Sequence, residues 1–277
     1  MTDRLRGRAC LVTGSMGIGE AVAIALVDEG ASVFVVSRTA DHARSLAIRL
    51  AARVQAGART GWAAADLRDD GAADEAVNAM IAAFGRIDGL FSVAGGSGRA
   101  FGDGPVDALT GDAFDRTIAL NLRSQVLVAS AVARRMLAQP PAGDGRRGSI
   151  VLVSSVLATH PVADLFATHA YAAAKGGVLA LATAMAAEYA PAGIRVNVVA
   201  PGLTATAMAA RAAADPASAD FAARKQPLAG GLLDPADVAP TALFLLSDEA
   251  RAITGQVIAV DGGWSVTSAG AEGGPGR

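Results

Sequence analysis

Residues 9–19 read Ala-Cys-Leu-Val-Thr-Gly-Ser-Met-Gly-Ile-Gly, and this stretch decides the fold. A short apolar run ends at Thr13, glycines follow, and an apolar helical pattern begins at Ile18. Glycines cluster where a strand turns sharply into a helix and where a pyrophosphate approaches the backbone, because the helix N-terminus offers free N–H groups and a positive dipole end. A tight turn without a ligand has the same local pattern, but the strand before it and the helix after it favour a phosphate-binding loop.

The rest of the chain repeats this alternation of short apolar strands and longer helical patterns. Further strands are predicted at residues 32–37, 60–65, 89–93, 149–154, 195–199 and 256–260. Helices are predicted at residues 18–29, 41–55, 71–84, 112–137, 168–189 and 235–247. Continuously apolar strands that alternate with helices predict a parallel sheet covered on both faces, so we expect one doubly wound, Rossmann-like α/β domain. The domain spans residues 1–267, and the glycine-rich tail at 268–277 is expected to be disordered.

The composition excludes several classes of function. The 277 residues are 52% hydrophobic and 18% charged with a formal net charge of -2, which gives no electrostatic argument for binding nucleic acid or an anionic membrane surface. The single cysteine, Cys10, excludes an intramolecular disulfide, and three histidines without metal-ligand spacing predict no metal site. No secretory signal is visible, and the longest uncharged stretch, residues 148–163, is shorter than the about 18 apolar residues of a membrane span. We therefore expect a soluble, cytoplasmic protein.

The end of the second predicted strand carries the residues that distinguish the two nicotinamide dinucleotides. In dinucleotide-binding folds an acidic residue here binds the ribose 2′-hydroxyl of NAD, whereas an arginine accommodates the 2′-phosphate of NADP. This chain has Ser37 followed by Arg38, and a guanidinium is the best side chain for a phosphate. The pattern favours NADP(H) over NAD(H), and an exposed loop arginine without a ligand is the alternative.

Tyr171 and Lys175 form the most informative pair in the sequence. Residues four apart share one face of a helix, and this pair lies in the helix predicted at 168–189. A phenol loses its proton near about pH 10, and a nearby ammonium lowers that pKa, so Tyr171 can donate a proton to a carbonyl oxygen or accept one from an alcohol. The same spacing occurs by chance on unrelated helix faces, but the chain has only two tyrosines and this one follows a serine-rich strand end, which favours the catalytic interpretation.

Together these motifs resemble those of the short-chain dehydrogenase/reductase family. Residues 13–19 are similar to the family's T-G-x-x-x-G-I-G cofactor loop, with one residue fewer between the first two glycines. The chain has the family's Y-x-x-x-K motif, residues 194–206 resemble the segment beside the nicotinamide carboxamide, and residues 253–263 resemble the last strand. The resemblance covers about residues 5–265. It implies hydride transfer between a nicotinamide and a carbonyl or alcohol carbon.

The resemblance also implies roles for individual residues. Ser155, preferred to Ser154 as the second serine of the pair, is implied to hydrogen-bond the reacting oxygen. Asn121 is implied to support a proton relay through Lys175, and Asp66 to contact adenine, with a helix N-cap as its alternative role. The implied catalytic set is Asn121, Ser155, Tyr171 and Lys175. The implied cofactor-binding set is Gly14, Ser15, Met16, Gly17, Ile18, Gly19, Ser37, Arg38, Asp66, Leu67, Ala94, Gly95, Tyr171, Lys175, Pro201, Gly202, Thr204 and Thr206.

Two further features depart from the family's pattern. At residues 92–95 the chain has Ser-Val-Ala-Gly where the family usually has Asn-Asn-Ala-Gly, so the small residues that let the cofactor pass are kept and two amides are missing. The gap between the serine pair and the tyrosine is longer than is common, and it contains His160, Asp164 and His169. We expect these three side chains to be loop or substrate-pocket residues rather than new catalytic groups.

The leading interpretation is an NADPH-dependent reductase of a ketone, and two alternatives stay open. One is a dinucleotide-binding sensor without catalysis, against which the retained catalytic set argues. The other is a sugar-nucleotide epimerase or dehydratase, a class that favours another glycine spacing and a larger C-terminal domain. Specificity is expected from the loops at residues 96–104, 155–171 and 204–225, whose largely apolar composition suggests a hydrophobic small-molecule ketone. The resemblance alone implies a homotetramer or homodimer formed through helices 112–137 and 168–189.

Overall fold

The computed structural model describes residues 3–268 and places seven strands in one sheet, in which every neighbouring pair is parallel. In chain order the strands are β1 (Ala9–Thr13), β2 (Ser32–Ser37), β3 (Thr60–Ala64), β4 (Gly89–Ser92), β5 (Gly148–Val153), β6 (Ile194–Pro201) and β7 (Val257–Val260). They lie side by side in the order β3-β2-β1-β4-β5-β6-β7, so the chain winds outward from the middle of the sheet in both directions. The predicted doubly wound α/β fold is confirmed. The tail predicted to be disordered lies outside the described residues, apart from Ser268.

Burial explains why these short segments are strands. All five residues of β1 and the first five of β2 are buried, as expected in a parallel sheet covered on both faces. The β-branched side chains of Val33, Val35 and Val36 fit such an enclosed, pleated surface. The edge strand β3 is only partly buried. The predicted strand ends agree with the observed ones to within two residues.

Helices cover both faces of the sheet. They are α1 (Ile18–Asp28), α2 (Ala40–Ala51), α3 (Ala72–Phe84), α4 (Gly111–Ile118), α5 (Ser124–Ala138), α6 (His169–Tyr189), α7 (Ala210–Ala214), α8 (Pro216–Lys225) and α9 (Pro235–Leu246). Alternate residues of β1 face the two layers: Cys10 packs with α1, α2 and α9, and Leu11 packs with α3, α5 and α6. The sheet therefore divides the core into two layers. Because the helices cover its faces, a binding site can form at the ends of its strands.

The helix predicted at residues 112–137 is interrupted. A single π-helical turn over Ala119–Arg123 separates α4 from α5, so the prediction of one uniform α-helix is wrong there. The amide that follows the turn donates to the carbonyl of Ala119, five residues back. The side chain of Gln125 donates to the carbonyl of Asn121 (3.2 Å) and stabilises the altered turn. Such π turns are frequent at functional sites, and this one contains a residue of the implied catalytic set.

The helix α6 is long and apolar enough, by length and composition alone, to cross a membrane. In the fold it packs against β5 and β6, and Val178 and Ala182 are buried in the core. Lys175 is buried within the same helix. These contacts identify α6 as a core helix of the α/β domain.

Thr13 ties the end of β1 to the segment that follows β4. Its hydroxyl oxygen accepts hydrogen bonds from the amides of Val93 and Ala94, each at 3.1 Å, and the side chain is fully buried. The strand order reverses between these two neighbouring strands. A crevice at this switch point is where doubly wound folds bind their ligands.

Thr13→Val replaces the hydroxyl by a methyl group of similar size and leaves both amides without this acceptor. Because a buried donor left unsatisfied costs about 1–3 kcal/mol, we expect the free energy of unfolding to fall by about 1–3 kcal/mol or more. Urea denaturation followed by circular dichroism measures the change. Thr183→Val is the control, because this exposed hydroxyl bonds only the Leu179 carbonyl of its own helix. Equal losses in the two variants would contradict the role of Thr13.

Candidate active site

A cavity of about 550 Å³ opens at the carboxyl ends of the central strands. The implied catalytic residues all line it, namely Asn121, Ser155, Tyr171 and Lys175. Further residues of the implied cofactor set also line it: Met16, Gly17, Ile18, Gly95, Pro201, Gly202, Thr204 and Thr206. The other members of that set do not line the cavity but lie at or just after the ends of the first four strands: Gly14, Ser15, Gly19, Ser37, Arg38, Asp66, Leu67 and Ala94.

The glycine turn after β1 leaves no room for side chains. Gly14 and Gly17 have φ values of +95° and +56°, and a Cβ on Gly19 would stand 2.5 Å from the carbonyl oxygen of Gly14. The hydroxyls of Ser15 and Ser37 are 2.9 Å apart, which links the turn to the end of β2. No side chain caps the start of α1, so the first amides of the helix are left for another acceptor. This bare backbone at an uncapped helix N-terminus fits the pyrophosphate of a dinucleotide.

One exposed guanidinium and one neutralised carboxylate lie at the ends of β2 and β3. Arg38 is exposed and forms no ion pair with any residue in the range 3–268. Arg68 binds Asp66 through Nε (2.9 Å) and Nη2 (2.5 Å), and this hydrogen bonding lowers the pKa of Asp66 against the opposing effect of burial. Leu67 is buried in the core. The alternative role of Asp66 as the N-cap of the next helix is wrong, because α3 begins only at Ala72.

Tyr171 and Lys175 lie one turn apart on α6, on the face that lines the cavity. Lys175 Nζ is 5.7 Å from the centre of the Tyr171 ring and donates to the carbonyl oxygen of Val153 (2.9 Å). Burial lowers the pKa of Lys175 to about 8 and raises the pKa of Tyr171 to about 12, although a hydrogen bond with Ser155 acts in the opposite direction on the phenol. We expected the ammonium of Lys175 to lower the pKa of Tyr171, and this expectation is wrong. The pKa of Tyr171 is raised, because burial removes the phenol from water and this effect is the largest.

The two serines at the end of β5 have different partners. Ser154 Oγ is buried and donates to the backbone carbonyl of Lys175 (2.8 Å), so it is satisfied by the backbone, as expected for the serine that was not preferred. Ser155 Oγ accepts from the amide of Leu157 (3.2 Å), and Ser155 is near enough to the Tyr171 hydroxyl to oppose the rise in the pKa of the phenol. Ser155 and Tyr171 line the same cavity, where a substrate oxygen can contact both.

Asn121 holds the segment that follows β4. Its Nδ2 donates to the carbonyls of Gly96 (2.9 Å) and Thr117 (3.1 Å), and its Oδ1 accepts from the amide of Gly96 (3.0 Å). A Cβ on Gly95 would stand 2.7 Å from Asn121 Oδ1 and 3.6 Å from Lys175 Nζ, so this backbone runs close to both side chains. Asn121 therefore fixes the chain beside the lysine, and its implied part in a proton relay stays a prediction.

Gln125 is a site residue that the sequence analysis missed. It is fully buried, its Nε2 donates to the carbonyls of Asn121 (3.2 Å) and Val153 (2.9 Å), and its Oε1 accepts from the Val153 amide (3.2 Å). Lys175 Nζ donates to the same Val153 carbonyl. The available signal was a glutamine among the apolar residues of a helix, because a buried amide needs partners.

Asp103 connects the loop after β4 to the start of α6, and the sequence analysis missed it as well. Its Oδ1 and Oδ2 accept from the amides of Ala170 and Tyr171, each at 2.9 Å. The residue before the helix, Thr168, provides no side-chain cap, so Asp103 satisfies the first amides of the helix that carries the tyrosine. No local pattern indicates this cap, because it comes from 67 positions earlier in the chain.

His160 in the long loop before α6 and His169 at the start of α6 have structural partners. Trp264 Nε1 donates to the carbonyl of His160 (3.2 Å), and the amide of Val106 donates to Nδ1 of His169 (2.9 Å). Asp164 begins a short 3-10 turn in the same loop. His160 is a loop residue, as expected, whereas His169 is the first residue of α6, and neither lines the cavity.

An aromatic cluster, which the sequence analysis did not predict, forms part of the cavity wall. The ring centres of Phe166, Phe221 and Trp264 are 5.6 to 6.0 Å apart, and the rings meet at steep angles. Phe166 and Trp264 line the cavity. The three rings come from distant parts of the chain, so the long loop, α8 and the segment after β7 are packed together.

Asp103→Asn keeps the shape of the side chain but turns one of its acceptors into a donor. One amide at the start of α6 then loses its acceptor, so we expect the free energy of unfolding to fall by about 1–3 kcal/mol. Amide exchange followed by NMR should become faster at Ala170 and Tyr171. Asp107→Asn, at an exposed position of the same loop, is the control. Unchanged exchange at both amides would show that Asp103 does not cap the helix.

Comparisons with known proteins agree with this geometry. The family model described as Enoyl-(Acyl carrier protein) reductase matches residues 12–265. The chain is 35% identical over 264 residues to D-threitol dehydrogenase of Mycolicibacterium smegmatis, which covers 95% of each chain. The structure of a short-chain type dehydrogenase/reductase from Mycobacterium ulcerans has a TM-score of 0.85 and 34% identity, covering 95% of this chain and 91% of that chain. A gluconate 5-dehydrogenase from Burkholderia cenocepacia J2315, solved in complex with NADP and tartrate, has a TM-score of 0.85 and 31% identity, covering 96% and 98%.

These matches extend over nearly the whole chain and include both the glycine turn and the tyrosine helix. The relatives are named as dehydrogenases, and enzymes of this kind act on CH–OH groups with a nicotinamide cofactor. The sequence resemblance is thus confirmed by the family match and by the fold. The chain belongs to the short-chain dehydrogenase/reductase family.

Proposed function

We propose that the protein is an NADP(H)-dependent oxidoreductase that reduces a ketone to a secondary alcohol, with Tyr171 as the proton donor. The observation that carries the proposal is that Ser155, Tyr171 and Lys175 line one cavity, with Tyr171 and Lys175 one turn apart on the same helix face. Both hydroxyls line the cavity that the glycine turn borders, so a reacting oxygen can meet them beside the cofactor site.

The residues present fit a dinucleotide cofactor along the carboxyl ends of the strands. The uncapped turn at Gly17 would hold the pyrophosphate, Arg38 the 2′-phosphate, and Pro201, Gly202 and Thr204 the nicotinamide end. When bound, the nicotinamide supplies the hydride that adds to the carbonyl carbon. The remaining step is the protonation of the carbonyl oxygen, and the protein supplies that proton.

Tyr171 is suited to donate that proton. Because burial raises its pKa to about 12, the phenol is protonated at neutral pH. The hydroxyl of Ser155 stabilises the negative charge that develops on the substrate oxygen, and the charge left on the phenol is stabilised by Lys175 nearby. In the reverse direction Tyr171 must lose its proton first, so alcohol oxidation becomes faster as the pH rises, whereas ketone reduction persists at neutral pH.

Tyr171→Phe removes the hydroxyl and leaves the ring in place. Because general acid catalysis contributes about 100- to 10,000-fold, we expect turnover of NADPH with a panel of ketones to fall by that factor. The affinity for NADPH, measured by the fluorescence of the bound reduced nicotinamide, should be unchanged. Tyr189→Phe, at the other tyrosine and outside the cavity, is the matched control and should keep both properties. Turnover retained in Tyr171→Phe would rule out this residue as the acid, and an unaltered protein that binds NADPH without turning over any ketone would favour the sensor alternative.

The preference for NADP(H) is a separate part of the proposal and is supported by charge. The strand end carries Ser37 and not an acid, and the exposed Arg38 has no ion-pair partner in the described part of the chain. The nearby carboxylate of Asp66 is already paired with Arg68. The gluconate 5-dehydrogenase relative was solved with NADP, which supports the same choice. A 2′-phosphate therefore meets one unneutralised cation and no unpaired acid at these positions.

Arg38→Ala should weaken NADPH binding and leave NADH binding unchanged. A hydrogen bond to a charged group is worth about 1.5–3 kcal/mol, so we expect the Kd for NADPH to rise about 10- to 100-fold. Fluorescence titration with each reduced cofactor measures both values. Arg135→Ala removes another exposed guanidinium, on α5, and is the control. If the unaltered protein binds NADH as tightly as NADPH, Arg38 does not select the cofactor.

We also propose that the protein works in the cytoplasm as a homotetramer or homodimer. Phe114, Val126 and Leu137 on α4 and α5 are 40%, 36% and 42% exposed, and a second copy of the chain could cover them. Cys10 is buried and unpaired, which fits a reducing compartment.

A further inference from the structure

Two arginines line the cavity of the proposed reaction. Arg99 lies on the short turn after β4, and Arg211 lies on α7. Arg99 Nη2 donates to the carbonyl oxygen of Leu165 (3.1 Å), which anchors its guanidinium. These three residues belong to the three loops in which specificity is expected, so the loops together bring two positive charges to the substrate side of the cavity.

Neither guanidinium forms an ion pair within residues 3–268. No ion pair found there includes Arg99 or Arg211. Partial burial and the positive charge of Arg211 lower the pKa of Arg99, so the two groups are close enough to repel each other. The carboxylate that opposes this effect is Asp103, and both of its oxygens already accept amides of α6. Hydrogen bonds from Ser218 and the charge of Arg211 lower the pKa of Asp215, so a second carboxylate lies near the pair. Asp103 and Asp215 are thus both held by other donors, and neither forms an ion pair with Arg99 or Arg211.

The rest of the substrate side of the cavity is largely apolar. Leu157, Phe166, Met208 and Trp264 contribute to its wall. An anion bound beside this apolar wall is partly removed from water, which strengthens its attraction to the two guanidinium groups. A hydrophobic ketone, the substrate first expected, would use the wall but leave both guanidinium groups without a partner.

We propose that the substrate carries a carboxylate, so that the protein interconverts a keto acid and a hydroxy acid. Arg99 and Arg211 bind the carboxylate, whose two oxygens match the planar fork of a guanidinium, and the body of the substrate lies against Phe166 and Trp264. The ketone carbon gains a hydride from NADPH and the ketone oxygen gains a proton from Tyr171, so the cofactor is oxidised and the carboxylate is unchanged. This inference rests on the function proposed above, because it names the substrate class of the same site.

The test compares ligands that differ only in charge. The NADP⁺-saturated protein, which has no hydride to transfer to a ketone, is titrated by isothermal calorimetry with three pairs: 4-acetylbenzoate and 4-acetylbenzamide, 4-oxocyclohexanecarboxylate and its amide, and 4-oxopentanoate and its amide. Because a charge-assisted hydrogen bond is worth about 1.5–3 kcal/mol, the carboxylate of at least one pair should bind about tenfold or more tightly than its amide. Added salt should reduce the difference, because both guanidinium groups are exposed.

Variants then assign the preference to the two arginines. Arg99→Gln and Arg211→Gln should each weaken carboxylate binding by about tenfold, the value of one charge-assisted hydrogen bond, and leave amide binding and the Kd for NADPH unchanged. Arg224→Gln removes an exposed charge from the neighbouring helix α8, outside the cavity, and should change nothing.

Three results would overturn the proposal. The first is the absence of a carboxylate preference in all three pairs, and the second is a preference that survives both arginine variants. The third is that the arginine variants weaken NADPH binding and not carboxylate binding, which would assign the guanidinium groups to the cofactor phosphates. Tyr171→Phe separates this proposal from the catalytic one, because that variant should lose turnover and keep the carboxylate preference.

Discussion

The carbonyl oxygen of Val153, the last residue of β5, is the acceptor on which the active site depends. It receives Lys175 Nζ and Gln125 Nε2, each at 2.9 Å. The lysine is almost fully buried, and an ammonium in that position is costly unless it is hydrogen-bonded. The end of β5 thus holds the lysine Nζ of α6 in place, and the glutamine side chain attaches α5 to the same strand end. Both helices are therefore tied to the same strand end through one backbone oxygen.

The segment after β4 is held from two sides by buried polar groups. Thr13 binds its start through the amides of Val93 and Ala94, and Asn121 binds its next part through both backbone groups of Gly96. The π turn is what carries Asn121, so a local irregularity in the helix has a structural purpose. Beyond this segment the chain continues into the loop of Arg99 and Asp103. The backbone near the proposed hydride transfer is therefore held by buried hydrogen bonds, and Gly96 and Asp103 attach the first of the substrate loops to the same network.

The sequence predicted those parts of the molecule that depend on local patterns. Apolar runs and glycines located the strands, and four-residue spacing brought Tyr171 and Lys175 to one face. Gln125 and Asp103 were missed because their partners lie 28 and 67 positions away, where no periodicity reaches. The π turn was missed because its residues are as helical in propensity as their neighbours. The raised pKa of Tyr171 was missed because burial is a property of the packed molecule. The cofactor contacts and the oligomer stay predictions.

Some charged groups around the cavity strengthen substrate binding, and others increase the rate of the reaction. Positive groups predominate, because Lys175, Arg99 and Arg211 all line the cavity. The buried carboxylates nearby, Asp103 and Asp261, are occupied by backbone amides. A carboxylate held by the arginines has the same charge before and during the reaction, so those contacts strengthen binding without lowering the barrier. The charge on the reacting oxygen appears only as hydride arrives, and the phenol becomes charged only as its proton leaves. The hydrogen bond from Ser155 to the reacting oxygen and the attraction of Lys175 for the phenolate therefore strengthen only in the transition state, and that difference accelerates the reaction.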